Sequence, residues 1–187
     1  MHPALLYLPG DRLTLAELGS ARLDGHVFEV GEGFMPADTV ETSAARAASL
    51  AAIVPDRAAA CGPTAAWVHG AGDLPPTVHH VRRRSIRRFR PSLPPHVVYH
   101  DGLTGEGDVR MIAGVGVVDE LPTALELLFA APADPTAERW LRALLPVSEG
   151  LVDGARARLE QLSRRPGRRS AMRMLERIAA DQDVVTR

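Results

Sequence analysis

Leu13-Thr-Leu-Ala-Glu-Leu-Gly-Ser-Ala-Arg-Leu-Asp24, running on into Gly25-His-Val-Phe-Glu-Val-Gly-Glu-Gly-Phe-Met-Pro36, is the stretch that sets the fold. The first half reads as a short helix. Thr14 stands where an N-cap hydroxyl belongs, and Glu17, three residues on, completes a capping box. Leu15, Leu18 and Leu23 can share one face. Gly25 supplies the left-handed residue that ends such a helix. The second half alternates around Gly31 and Gly33, as a tight β-hairpin does. A helix feeding a tight hairpin is how a winged helix ends, so residues 1–40 read as a reduced, winged-helix-like unit.

Outward from that unit, residues 41–187 read as an α/β region with C-terminal helices, either distinct from the first unit or compact with it. Thr42 to Ile53 is alanine-rich at helical spacing and closes at Pro55. Thr64 to His69 is a short helix entered through Gly62-Pro63 and stopped by Gly70. Thr77 to Val81 and Val97 to Tyr99 read as strands, with an arginine run and Pro91, Pro94 and Pro95 between them. Val109 to Val118, broken by Gly114 and Gly116, reads as a hairpin. Asp119 then caps a helix to Phe129 with Leu121, Leu125 and Leu128 inward. Helices follow over 136–145, 150–163 and 168–180, separated by Pro166-Gly167, and the chain is expected to fray after Asp181. The expected class is α+β, with a small, mostly antiparallel central sheet and a helical C-terminal third.

Charge is the most informative feature for function. Arg82-Arg83-Arg84-Ser-Ile-Arg87-Arg88-Phe-Arg90 holds six arginines in nine residues and no acid. A second cluster, Arg164, Arg165, Arg168, Arg169 and Arg173, also has no acid between its members. Removing these eleven positive charges from the formal net charge of −1 leaves about −12 on the rest of the chain. Charge divided this way presents a basic face to a polyanion. All 22 basic residues are arginine, and neither lysine nor asparagine occurs. A GC-rich coding bias accounts for that, so the clustering carries information and the choice of arginine does not. Phe89 is placed to stack on a base or on an arginine plane. The alternative for the first cluster is a solvated loop whose charge is offset by nearby acids. For the second it is a plain solvated turn at a helix start, where arginines and free N–H groups would otherwise welcome a phosphate.

Other chemistries find less support. Cys61 is the sole cysteine, which rules out an intrachain disulfide and a thiolate metal cluster. The histidines at 79, 80, 96 and 100 sit on strands, where residues four apart span about 13 Å and neighbours face opposite ways. A metal centre there requires a cross-strand coincidence, and none is expected. Cys61 and His69 have no third orienting group for nucleophilic catalysis. Trp67 reads as a core anchor and His69 as a cap on the last turn of its helix. No phosphate-binding loop, dinucleotide fingerprint, zincin motif or nucleophile elbow occurs. No cofactor is expected. Met1-His2-Pro3 does not open a signal peptide, and no run approaches a membrane span, so a cytoplasmic location is expected.

Three stretches together resemble a known family. They are Ala16-Glu-Leu through Pro36-Ala-Asp38, Cys61-Gly-Pro-Thr-Ala-Ala-Trp-Val-His-Gly70 with the arginine-rich segment behind it, and Asp119-Glu-Leu-Pro-Thr-Ala-Leu-Glu-Leu-Leu128. The chain is similar over roughly residues 13–130 to the AbiEi-type antitoxin and transcriptional-regulator family of actinobacteria. That resemblance implies a non-enzymatic DNA-binding regulator beside a toxin gene, with duplex DNA and a toxin as partners. The chain departs from the family pattern in three places. Twelve residues before Leu13 are too few for a full helix-turn-helix. Glu17, Asp24, Glu29 and Glu32 stand where a DNA-reading unit carries arginines. Pro122 stands where the family often has arginine. Two readings remain open: a regulator contacting phosphate through Arg82, Arg83, Arg84, Arg87, Arg88, Arg90, Arg164, Arg165, Arg168 and Arg169, or a module binding an acidic protein. An unrecognised enzyme is a third. Homodimerisation suits a regulator reading paired half-sites.

Overall fold

A computed structural model of the chain describes residues 5–105, 107–162 and 164–185; the opening Met1-His2-Pro3 lies outside that range. Helix α1 spans Leu15–Leu23 and carries the expected capping box. The Thr14 amide donates to the Glu17 carboxylate at 2.8 Å, and the Glu17 amide donates back to the Thr14 hydroxyl. The apolar face is narrower than expected. Leu18 is fully buried, but Leu15 and Leu23 are 63% and 82% exposed. Helix α1 packs mainly against strand β1 (Val27–Val30).

Strands β1 and β2 (Gly33–Pro36) form the expected hairpin, with Val30 opposite Gly33. Tyr7 adds a further rung, exchanging backbone bonds of 2.8 and 2.9 Å with Phe34. Gly31 at the turn has φ +53°, and a Cβ there would fall 2.2 Å from the Ser49 hydroxyl. Glycine is thus required both by the turn and by helix α2 (Ser43–Ser49), which the hairpin abuts. The Thr42 hydroxyl caps α2 by accepting from the Ala45 amide.

The class is α+β, as expected, but the central sheet is mixed. Strands β3 (Ala58–Ala60), β4 (His79–Arg83), β5 (Val97–His100), β6 (Val109–Ile112) and β7 (Val115–Val118) lie in the order β5-β4-β3-β7-β6. The β3–β4 and β6–β7 pairings are antiparallel, whereas β3–β7 and β4–β5 are parallel. Sequence pattern misses β3 because three alanines have little strand propensity. Its position decides the matter: it lies mid-sheet with all three residues buried. The β6 and β7 hairpin falls where expected.

Helix α3 (Gly62–Val68) packs against β4, β7 and the next two helices, and Trp67 on it is fully buried, as its role as core anchor requires. His69 does more than end that helix. Its Nε2 donates to the Val118 carbonyl at 2.7 Å and its Nδ1 lies 3.4 Å from Glu120, so the ring ties α3 to the β7–α4 junction. Helix α4 (Glu120–Ala130) starts at Asp119, whose carboxylate pairs with Arg110 at 2.9 Å and makes no cap bond. Leu128 is buried as expected, Leu121 and Leu125 only partly, and Thr123, Ala124 and Leu127 complete the inward face. Helices α5 (Pro135–Leu144), α6 (Leu151–Gln161) and α7 (Arg168–Val185) form the C-terminal third, with α6 and α7 both packed on α4. The α7 helix continues past Asp181, where fraying was expected. Among the described residues no helix is long and apolar enough to cross a membrane.

Candidate nucleic-acid interface

The arginine run does not lie wholly between two strands. Strand β4 continues through Arg83, so Arg82 and Arg83 obey the alternation of a strand and diverge. Arg82 turns to α4 and donates to Glu126 at 2.6 Å, both side chains about one-quarter exposed. Arg83 is buried. It donates to the carbonyls of Ser85 and Ile86, each at 2.8 Å, and of Asp101 at 3.1 Å, and pairs with the Asp101 carboxylate at 3.2 Å. It fastens the start of its own loop to the end of β5. Arg84 is exposed, but its Nε donates to the Asp56 carbonyl at 2.7 Å.

Loop 84–96 joins two neighbouring parallel strands, which a tight hairpin cannot do. A second strap holds it. Arg57 donates to the Arg87 carbonyl at 3.0 Å, and its guanidinium lies 4.8 Å from the centroid of Phe89. Phe89 also meets Tyr99 edge-on at 5.5 Å. The arginine plane, one of the two uses expected for Phe89, is supplied within the chain by Arg57. Nothing in the sequence singles out Arg57, an isolated arginine in a turn. What remains on the outer face is Arg87, Arg88 and Arg90, all exposed. Arg88 is 3.5 Å from Asp101 with 82% of its side chain exposed. Among the described residues Arg87 and Arg90 meet no carboxylate within ion-pair distance.

The second cluster divides in the same way. Arg165 lies over Phe129, 3.9 Å from the ring centroid. Arg168 donates to the Leu159 carbonyl at 2.7 Å, closing the α6–α7 turn, and Arg173 donates to Ser170. Arg164 and Arg169 are exposed without a carboxylate partner among the described residues. The clusters meet at one place, a cavity beside α4 lined by both Arg82 and Arg165. Half of the ten arginines expected to contact a polyanion therefore have identifiable work within the fold: Arg82, Arg83, Arg84, Arg165 and Arg168. Arg87, Arg90, Arg164 and Arg169 stand exposed without a carboxylate partner among the described residues, and Arg88 is exposed with only the 3.5 Å pairing to Asp101.

Three of the four acids noted in the N-terminal unit are similarly accounted for. Glu17 caps α1, Glu29 pairs with Arg22 at 3.3 Å, and Glu32 lies 3.2 Å from His96 and 3.7 Å from His79. His79 and His80 point to opposite faces of β4, as alternation requires, and His100 at the end of β5 lies on the His80 side; His96, expected on the strand, falls one residue before β5 and lies beside His79 instead. His79 and His96 share Glu32, and its burial first, then His96 and His80, pull the His79 pKa down to about 4. His80 and His100 stack at 5.3 Å between centroids with their ring nitrogens 3.0 Å apart. Burial depresses both, with the neighbouring His100 acting on His80 and Arg82 on His100. Among the described residues no group of three or more His, Cys, Asp or Glu side chains is arranged to hold a metal ion. Cys61 is buried, and that burial raises its thiol pKa well above the ordinary range, aided by Glu126. That burial favours the protonated thiol at neutral pH.

No protein-family model matches the chain, and no curated protein matches it.

Proposed function

We propose that this chain is a non-enzymatic, DNA-binding transcriptional regulator that grips duplex phosphate through the loop carrying Arg87, Arg88 and Arg90. The observation that supports this is the anchoring of that loop. Arg57 and Arg83 hold its backbone from beneath, so three exposed guanidinium groups are presented from a fastened segment. A preorganised cationic loop loses less conformational entropy on binding than a free one. Phosphate contact needs no base-reading geometry. Arg164 and Arg169 at the α6–α7 turn supply a second point of contact. No DNA contact is assigned to the N-terminal unit, where Glu17 serves as a cap and Glu29 and Glu32 lie in ion pairs. The proposed role agrees with the similarity to antitoxin-type regulators noted from the sequence, in a cytoplasmic setting.

Fluorescence anisotropy on a labelled duplex at two salt concentrations tests the proposal. Binding that weakens steeply with salt supports it. Absence of binding at low salt, or binding indifferent to salt, overturns it.

One observation favours a second reading, a module for an acidic protein partner such as a toxin. Ile86 stands at the loop 87% exposed, between the arginine clusters of the run. A phosphate track has no use for an isoleucine, whereas a partner with an apolar pocket ringed by carboxylates does. Stoichiometric co-purification of an acidic protein from the native host, lost in Ile86→Ser, would favour this alternative.

A further inference from the structure

We propose that the cavity beside α4 binds a small organic monocarboxylate with an apolar body. The cavity holds about 370 Å³, within the range of small-molecule sites. One wall is apolar, formed by Leu121, Leu125 and Phe129 of α4 and by Leu162. The polar groups are unevenly committed. Arg82 is neutralised by Glu126 at 2.6 Å. Arg158 donates to the neutral side chain of Gln161 at 3.0 Å, and Arg165 rests on the Phe129 ring. Neither has a carboxylate partner among the described residues, and both line the cavity. Asp108 is the other acid of the lining and, among the described residues, is paired with no arginine.

Among the described residues the lining thus carries three arginines and two acids, a net of one positive charge. That balance selects a monoanion. A phosphate ester or dicarboxylate would bring a second negative charge against Asp108 and Glu126. A guanidinium stacked on an aromatic ring keeps its N–H edge free to bind a carboxylate in the ring plane direction. Arg165 over Phe129 is such an arrangement, with the apolar wall below it to take a hydrocarbon chain or ring. The inference does not depend on the nucleic-acid reading, since it uses neither the loop arginines nor a duplex.

Titration calorimetry with octanoate and octanamide tests it, on the whole chain and on Arg158→Gln/Arg165→Gln. Both arginines are exposed, so the substitutions leave the core untouched, and thermal melting confirms the fold. The expected result is one-to-one binding of octanoate, at least about tenfold weaker in the double variant, with octanamide at least about tenfold weaker on the parent chain. Should the double variant melt early, Arg158→Gln alone carries the comparison, with weakening again expected. No octanoate binding up to about 10 mM, equal binding of octanamide, or affinity unchanged by the arginine substitutions overturns the proposal.

Discussion

Arg82 and Glu126 form a 2.6 Å ion pair between strand β4 and helix α4, and the second Glu126 oxygen is buried with no hydrogen-bond partner. The pair commits the first arginine of the run to the fold. Arg82→Ala strips Glu126 of the cation paired with it and leaves a half-buried carboxylate unpaired among the described residues. The expected loss is about 2–3 kcal/mol of unfolding free energy by urea titration. Glu126→Gln, which keeps an acceptor and removes the charge, costs less. The salt dependence of duplex binding is unchanged in Arg82→Ala; a shallower slope would return Arg82 to the interface.

Arg83 is the fastener of the 84–96 loop. Arg83→Met leaves the carbonyls of Ser85, Ile86 and Asp101 without their donor, at a cost of about 3 kcal/mol. Limited proteolysis within 84–96 accelerates in parallel. Arg83→Lys rescues little, because one ammonium cannot reproduce a planar fork reaching several carbonyls. Full rescue by lysine would show that charge alone holds the loop.

Arg87, Arg88 and Arg90 are expected to behave in the opposite manner. The triple alanine variant keeps its stability within about 0.5 kcal/mol, since exposed or weakly paired side chains contribute little. The slope of log affinity against log salt on a duplex becomes shallower by up to about 2.7, three phosphates at roughly 0.9 each. Unaltered affinity and slope would move the polyanion contact elsewhere.

Acid should destabilise the chain through its histidines. His79 falls from 6.5 to about 4 on folding, and His80 and His100 shift in the same direction. Between those values the unfolded chain binds more protons than the folded one, so stability rises with pH across the window. It is complete above about pH 6.5 and is lost progressively as pH falls towards 4. His79 alone accounts for at most about 3 kcal/mol of that change. Thermal melts from pH 7.5 to 4.5 show the decline, and His79→Gln flattens it. A parent chain whose melting midpoint stays level from pH 6.5 to 4.5 contradicts the assignment.

Local signals in the chain determined much of the fold by themselves. Thr14 with Glu17, Gly31, Gly62-Pro63, Gly70, Gly114 and Pro166-Gly167 are punctuation that acts over a few residues, and elements begin or end at each. Trp67 was legible as core because an indole in an alanine-rich helix has nowhere better to go. The charge clusters were legible too, since clustering is a property of sequence. The fold decided what no local window holds. Ala58–Ala60 became a central strand because β4 and β7 closed on either side of it. Arg82 and Arg83 parted because strand alternation sends neighbours to opposite faces, one to Glu126 and one to its own loop. Arg57, Asp101 and Glu126 joined the site from distant positions in the chain. An arginine's work depends on whether a carboxylate or carbonyl lies within about 3 Å of it. Only the packed chain settles that, and it separates the arginines that hold this protein together from those left facing outward.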